Sequence, residues 1–103
     1  MNARERVLAR MRMIFTENEL ERIWFIPTNI ICVDLHGLSC FDARRFLNNV
    51  INVLCVPEEL QVIHGYNHGT ALRDMIRNDL HNPHIYEIRT DERNYGITYL
   101  NVA

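Results

Sequence analysis

Val33-Asp34-Leu35-His36-Gly37-Leu38-Ser39 is the stretch on which the fold turns. It follows an apolar run, Ile30-Ile31-Cys32-Val33, that reads as a buried strand, and it precedes a segment with helical periodicity. An acid and an imidazole therefore stand two residues apart where a strand stops and a helix begins. In an open α/β sheet, the carboxyl ends of strands are where ligands bind. A second strand-to-helix junction, His64-Gly65-Tyr66-Asn67-His68-Gly69-Thr70, has the same design. The two junctions are expected to face each other and form the site.

Working outward, Ser39 with Asp42 opens a helix in which Ala43, Phe46, Leu47, Val50, Ile51 and Leu54 recur at 3.6-residue spacing. Arg44, Arg45, Asn48, Asn49 and Asn52 take its outer face, and Pro57 breaks the chain. Leu60–His64 reads as a second strand. A helix from near Thr70 then turns Leu72, Met75, Ile76 and Leu80 inward and stops at Asn82-Pro83. Ile85–Arg89 and Ile97–Val102 are two more strands, joined by the polar segment Asp91–Gly96. The order is β-α-β-α-β-β, with right-handed crossovers expected for the first two connections. There is no internal repeat or low-complexity tract.

Ahead of this lies a helical stretch. Asn2 is suited to cap a helix with Val7, Leu8, Met11, Ile14 and Phe15 on one face and Arg6 and Arg10 on the other. Thr16 with Glu19 reads as a capping box opening a short second helix, with Leu20, Ile23 and Trp24 inward and Pro27 and Asn29 at its end. Residues 1–28 are thus read as an N-terminal helical extension and residues 29–103 as the α/β domain. Two roles suit the extension. It is a basic arm for nucleic acid or a membrane surface, or its apolar stripe covers the sheet or a partner subunit.

The 103 residues make one domain, and 48% hydrophobic content suffices for a core. Net charge is −2, so bulk charge does not announce a nucleic-acid binder. Arg4, Arg6, Arg10 and Arg12 against Glu5 give the first fifteen residues an excess of three positive charges. Every basic side chain is Arg. The lack of Lys excludes a side-chain Schiff base and a P-loop lysine. Cys32, Cys40 and Cys55 are odd in number and not spaced as a zinc site, which suits free thiols in a reducing cytoplasm. No apolar run approaches the roughly 20 residues of a membrane span. The N-terminus shows no apolar region with a cleavage site, so no signal peptide is expected.

Asp34 and His36 lie two apart on an extended chain, so their side chains converge. The imidazole suits general acid or base work, and the carboxylate suits orienting it or holding a cation. The pair is equally at home as a turn, with Asp34 accepting backbone N–H groups. Gly65 and Gly69 bracket a loop at a helix N-terminus, where backbone N–H groups can approach a phosphate. Arg73 in the following turn suits clamping it, and Tyr66 and His68 suit stacking on a base. An ordinary glycine turn would use the same residues.

Asp34-Leu35-His36-Gly37-Leu38, an amphipathic helix, then Val62-Ile63-His64-Gly65 and Thr70-Ala71-Leu72-Arg73 resemble the small MutS-related (Smr) domain. That family carries a leucine-aspartate-leucine-histidine-glycine box and a histidine-glycine-x-glycine-x-glycine box. The resemblance covers about residues 29–103, as a stand-alone Smr domain. It departs at Val33, where the family has leucine, and at Asn67-His68, in a loop one residue longer where a central glycine is expected. The resemblance implies a two-layer sandwich with a four-stranded mixed sheet, like the C-terminal domain of translation initiation factor 3. It also implies nucleic-acid binding and, often, endonuclease activity on DNA or on RNA, including at ribosomes. In that comparison Asp34 and His36 are the catalytic pair. The glycine box falls on His64, Gly65 and Gly69 as the backbone-binding loop, and with Tyr66, Asn67, His68 and Arg73, read from the residues themselves, these make up the expected substrate-binding group.

Three functions follow. The first is an endonuclease. On RNA, His36 deprotonates the 2′-hydroxyl and no metal is needed. On DNA, a water is activated by Mg or Mn held by Asp34. The second is a nucleic-acid- or ribosome-binding module without catalysis. The third is a metal or small hydrolytic site built from Asp34, His36, His64 and His68. The chain is expected to be cytoplasmic, and a monomer or a homodimer through its N-terminal helices.

Overall fold

The computed structural model describes residues 2–27, 30–54, 57–65 and 69–103. The expectations placed on Asn29, Cys55, Tyr66, Asn67 and His68 fall outside the described residues. The chain begins with α1 (Ala3–Ile14), capped by Asn2, whose side chain accepts from the Glu5 N–H. α2 (Glu17–Leu20) follows, and here the Thr16/Glu19 capping box forms in both directions. The capping box fixes only one turn of helix. Ile23–Ile26 is not its continuation but a strand, β1.

That strand corrects the helical expectation for residues 23–26 and raises the sheet from four strands to five. The cause is local and tertiary together. Ile23-Trp24-Phe25-Ile26 is all β-branched or aromatic, which favours a pleated, half-buried surface. The outer edge of β2 (Ile30–Asp34) would also be bare without it. β1 pairs antiparallel there, with Ile23 opposite Val33 and Trp24 opposite Cys32. Ile23 and Phe25 then pack against the core, while Trp24 stands on the other face, 41% exposed.

The remaining elements are α3 (Cys40–Val53), β3 (Glu58–Ile63), α4 (Ala71–Asn78), β4 (Ile85–Thr90) and β5 (Ile97–Val102). The sheet runs β1-β2-β3-β5-β4. β2 and β3 are parallel, and β5 is antiparallel to both of its neighbours. Along the central strands, side chains alternate. Ile31, Val33, Leu60, Val62, Leu100 and Val102 turn to the helices. Glu59, Gln61, Tyr99 and Asn101 occupy the alternate positions and carry the polar face of the sheet. The polar face is cross-linked by Asn101 donating to Glu87 at 2.6 Å and by the Arg89–Glu59 ion pair.

On the helical side, α3 packs between α1 and α4. The inward stripe of α3 is buried as its periodicity predicts, and Ser39 caps it by accepting from the Asp42 N–H at 3.1 Å. α1 is no free arm. Val7, Met11 and Phe15 belong to the single core cluster, and the Phe15 ring meets Phe46 edge-on at 5.4 Å. Arg4 reaches the Ile26 carbonyl and lies over the Phe25 ring, tying α1 to β1.

Met11 is fully buried, whereas Met13, two residues on, is 87% exposed. Met11→Ala is expected to destabilise the chain by about 2–5 kcal/mol. Met13→Ala should stay within about 0.5 kcal/mol of wild type. Urea denaturation of the two variants checks the contrast, which would vanish if α1 were an appendage.

Candidate functional site

Parallel pairing of β2 with β3 sets Asp34 beside Ile63. The pairing extends one step further, with the Leu35 N–H donating to the Ile63 carbonyl at 2.8 Å. The two strand ends therefore finish level, and the segments after them lie side by side. A methyl group built on Gly65 would sit 3.9 Å from the His36 Cβ. Between them opens a cleft of about 760 Å³, lined by His36, Ser39, Cys40, His64, Gly65 and Gly69 among others.

In the first junction, Asp34 Oδ1 accepts from the His36 backbone N–H at 3.0 Å and lies 2.5 Å from His36 Nδ1. A carboxylate only accepts, so the shared proton assigns to Nδ1, and Nε2 is left to face outward. The His36 side chain is 67% exposed and that of Asp34 20%. The turn is pinned from behind by Arg22, whose Nη1 donates to the Asp34 carbonyl at 3.1 Å and to the His36 carbonyl at 3.0 Å. The Asp34 N–H in turn donates to the Arg22 carbonyl at 2.8 Å. Gly37 closes the turn at φ +80°, in the left-handed region that glycine adopts without steric cost.

The second junction holds a different kind of histidine. His64 is 5% exposed, and both ring nitrogens are engaged. Nδ1 lies 2.8 Å from the Gly65 carbonyl and Nε2 2.9 Å from Thr98 Oγ1. The carbonyl requires a proton on Nδ1, so Nε2 accepts from the Thr98 hydroxyl. Burial pushes the His64 pKa down. The Gly65 carbonyl partly opposes this, and the charges of Arg77 and Arg73 add to it. The Gly96 carbonyl accepts from both the His64 and Gly65 N–H groups. Gly65 and Gly69 adopt φ +74° and +102°, which L side chains rarely do. His64 thus braces the loop's first residue, and His36 is the imidazole left open to solvent.

Arg73 occupies the first turn of α4, but its guanidinium is 3.3 Å from Asp74. The hydrogen bond from Thr70 Oγ1 and the Arg73 guanidinium hold the Asp74 carboxyl below its ordinary range. No Arg lines the cleft among the described residues. The described residues also include no group of three or more His, Cys, Asp or Glu able to hold a metal ion. Of the residues expected to make such a site, His64 has both ring nitrogens engaged within the protein. Arg22 and Thr98 carry no motif. Only the pairing of β1 with β2 and of β5 with β3 brings them to the site.

His64 gives a pH dependence with a definite sign. Its folded pKa is depressed, so the unfolded chain binds the proton first as pH falls. The stability of the neutral buried ring is fully present above the ordinary histidine value, about 6.5, and is lost as pH falls through the folded pKa. Stability of the wild type should therefore fall from about pH 7 towards pH 5, and His64→Gln should flatten that slope. Thr98→Val leaves a buried ring nitrogen unpaired and should cost about 1–3 kcal/mol at pH 8. Denaturant titrations across the pH range read both effects.

No family model and no curated protein matches the chain. Among solved structures, the fold is similar to the crystal structure of the Smr domain of Thermus thermophilus MutS2. The TM-score is 0.61 at 23% identity, over 70% of this chain and 96% of that one. The chain thus has an Smr-like fold.

Proposed function

We propose that this chain binds single-stranded nucleic acid in the cleft between the two junctions and cleaves RNA there with the Asp34–His36 pair. The observation that carries the reading is the 2.5 Å contact of Asp34 with His36 Nδ1 on a ring exposed at the mouth of the cleft. The likeness to an Smr domain supports it at the level of fold. A general base needs an unprotonated nitrogen within reach of its proton, a fixed tautomer and access for the substrate. His36 has all three at Nε2.

On RNA the nucleophile is the substrate's own 2′-hydroxyl. His36 Nε2 takes its proton as the oxygen attacks the adjacent phosphorus, and Asp34 stabilises the imidazolium that results. The P–O5′ bond breaks as the P–O2′ bond forms, leaving a 2′,3′-cyclic phosphate. The departing 5′-oxygen takes a proton from water while the imidazolium returns its own to solvent. The backbone N–H groups of the first turn of α4 meet the developing charge on the phosphate. His64 braces Gly65 through its carbonyl without touching substrate.

One observation favours a second reading, a binding module without turnover. No Arg lines the cleft among the described residues, since Arg73 is held by Asp74. Phosphoryl chemistry draws on cations at the transition state, whereas binding through backbone amides does not need one.

The test is cleavage of end-labelled single-stranded and hairpin RNA, with and without chelator. Wild-type cutting should survive chelator, and His36→Ala and Asp34→Ala should each lose about 10²–10⁴-fold in rate. Cutting that persists in both variants would place the active site elsewhere. Retarded migration of intact RNA with no cutting would select the binding module.

A further inference from the structure

The described cleft continues into a second depression. A groove of about 440 Å³ runs between the first turn of α3 and α4, and it shares Cys40 and Ala71 with the His36 cleft. On its wall stands Phe41, 78% exposed. The inward stripe of α3 is complete without it, since Ala43, Phe46, Leu47, Val50 and Ile51 are all buried. Packing within the chain therefore gives no reason for an aromatic ring at this position. The groove floor is apolar at Met75, and the charges on its walls are balanced, with Asp74 paired to Arg73 and Asp79 facing the same groove as Arg44. Such a groove offers no net charge to a phosphate and admits a flat, uncharged ring.

We infer that this groove is a base-binding subsite, in which Phe41 stacks on an unpaired nucleobase of a strand whose phosphate lies in the His36 cleft. The inference rests on the nucleic-acid reading above and narrows its substrate class to single strands or unpaired loops. A base held in a duplex does not offer both faces of its ring to a side chain, and sequence-tolerant stacking on aromatics is how single strands are gripped. The N–H groups at the start of α4 take the backbone, and the apolar-floored groove beside them takes the base. Stacking of this kind does not change the number of phosphates neutralised, so it is separable from backbone contact by its salt dependence.

The experiment is fluorescence anisotropy with a labelled single-stranded RNA of about twelve nucleotides and an abasic strand of equal length and charge. His36→Ala is introduced throughout to prevent cutting. Phe41→Ala and Phe41→Trp are compared with this parent, and Tyr86→Ala serves as the control. Tyr86 is also exposed but lies at the opposite end of the sheet, where β4 begins beside Val102. The parent should prefer the base-bearing strand by about tenfold. Phe41→Ala should abolish that preference with the salt slope unchanged. Phe41→Trp should keep it, and Tyr86→Ala should leave it alone. A preference that survives in Phe41→Ala overturns the subsite while leaving the nucleic-acid reading intact. So does a loss in Phe41→Ala accompanied by a shallower salt slope. Binding of neither strand by the parent overturns both.

Discussion

The parallel contact between β2 and β3 is the interaction on which everything else in this chain depends. Its register sets Asp34 against Ile63, so two strands end at one level and two turns must leave the sheet side by side. Parallel strands need a long crossover between them. That requirement is met by α3, whose buried stripe packs over the same two strands. One arrangement thus generates both the core and the cleft. Slipping the register by one residue would turn Ile31 and Val33 away from the helices and Asp34 towards them. The site's geometry is therefore protected by the full energy of the core, rather than by the weak interactions at its surface.

The two histidines at the strand ends show how burial divides one residue type into two roles. His64 is enclosed, its nitrogens are occupied by Gly65 and Thr98, and its pKa is driven down by burial. A charged ring there would have to give up its hydration, and the Thr98 hydroxyl would have to reverse from donor to acceptor. The ring is held neutral and structural. His36 has one nitrogen tied to a carboxylate and the other in water. Only the second arrangement leaves a ring nitrogen free to take a proton from a ligand. The braced ring fixes the Gly65 backbone against which the open one works.

Much of this was legible in the sequence because it is local. Asn2, the Thr16/Glu19 capping box and Ser39 declare helix starts within three residues of themselves, and each cap forms. The α3 stripe and the last two strands are likewise periodic over enough residues to be unambiguous. Ile23–Ile26 was not legible. Four apolar residues after a capping box satisfy a helix and a strand equally, and the bare edge of β2 decides between them. Arg22 and Thr98 were hidden for the same reason, since each acts on a residue 12 to 34 positions away. Arg73 stands at the start of α4, as its sequence position implies, with its guanidinium 3.3 Å from Asp74.

The exposed Asp34–His36 pair raises a question of energetics. A side-chain contact open to water is worth about 0–1 kcal/mol, too little to hold two side chains in one geometry. The 2.5 Å contact must therefore be imposed from elsewhere. Three features impose it. Asp34 Oδ1 is anchored on the His36 backbone N–H, so the carboxylate is aimed before the ring arrives. Arg22 holds the carbonyls of both residues, fixing the peptide between them. Gly37 supplies the left-handed angle that lets the chain turn at once towards α3. Each feature is a backbone interaction, and backbone interactions here inherit their rigidity from β1, β2 and β3. An acid–base pair can then stand at the surface, accessible to a polymer too large to be enclosed, without surrendering its alignment. That is the physical reason the fifth strand belongs with the site. Without β1 there is no Arg22 behind the turn, and without Arg22 the pair is held at one end only.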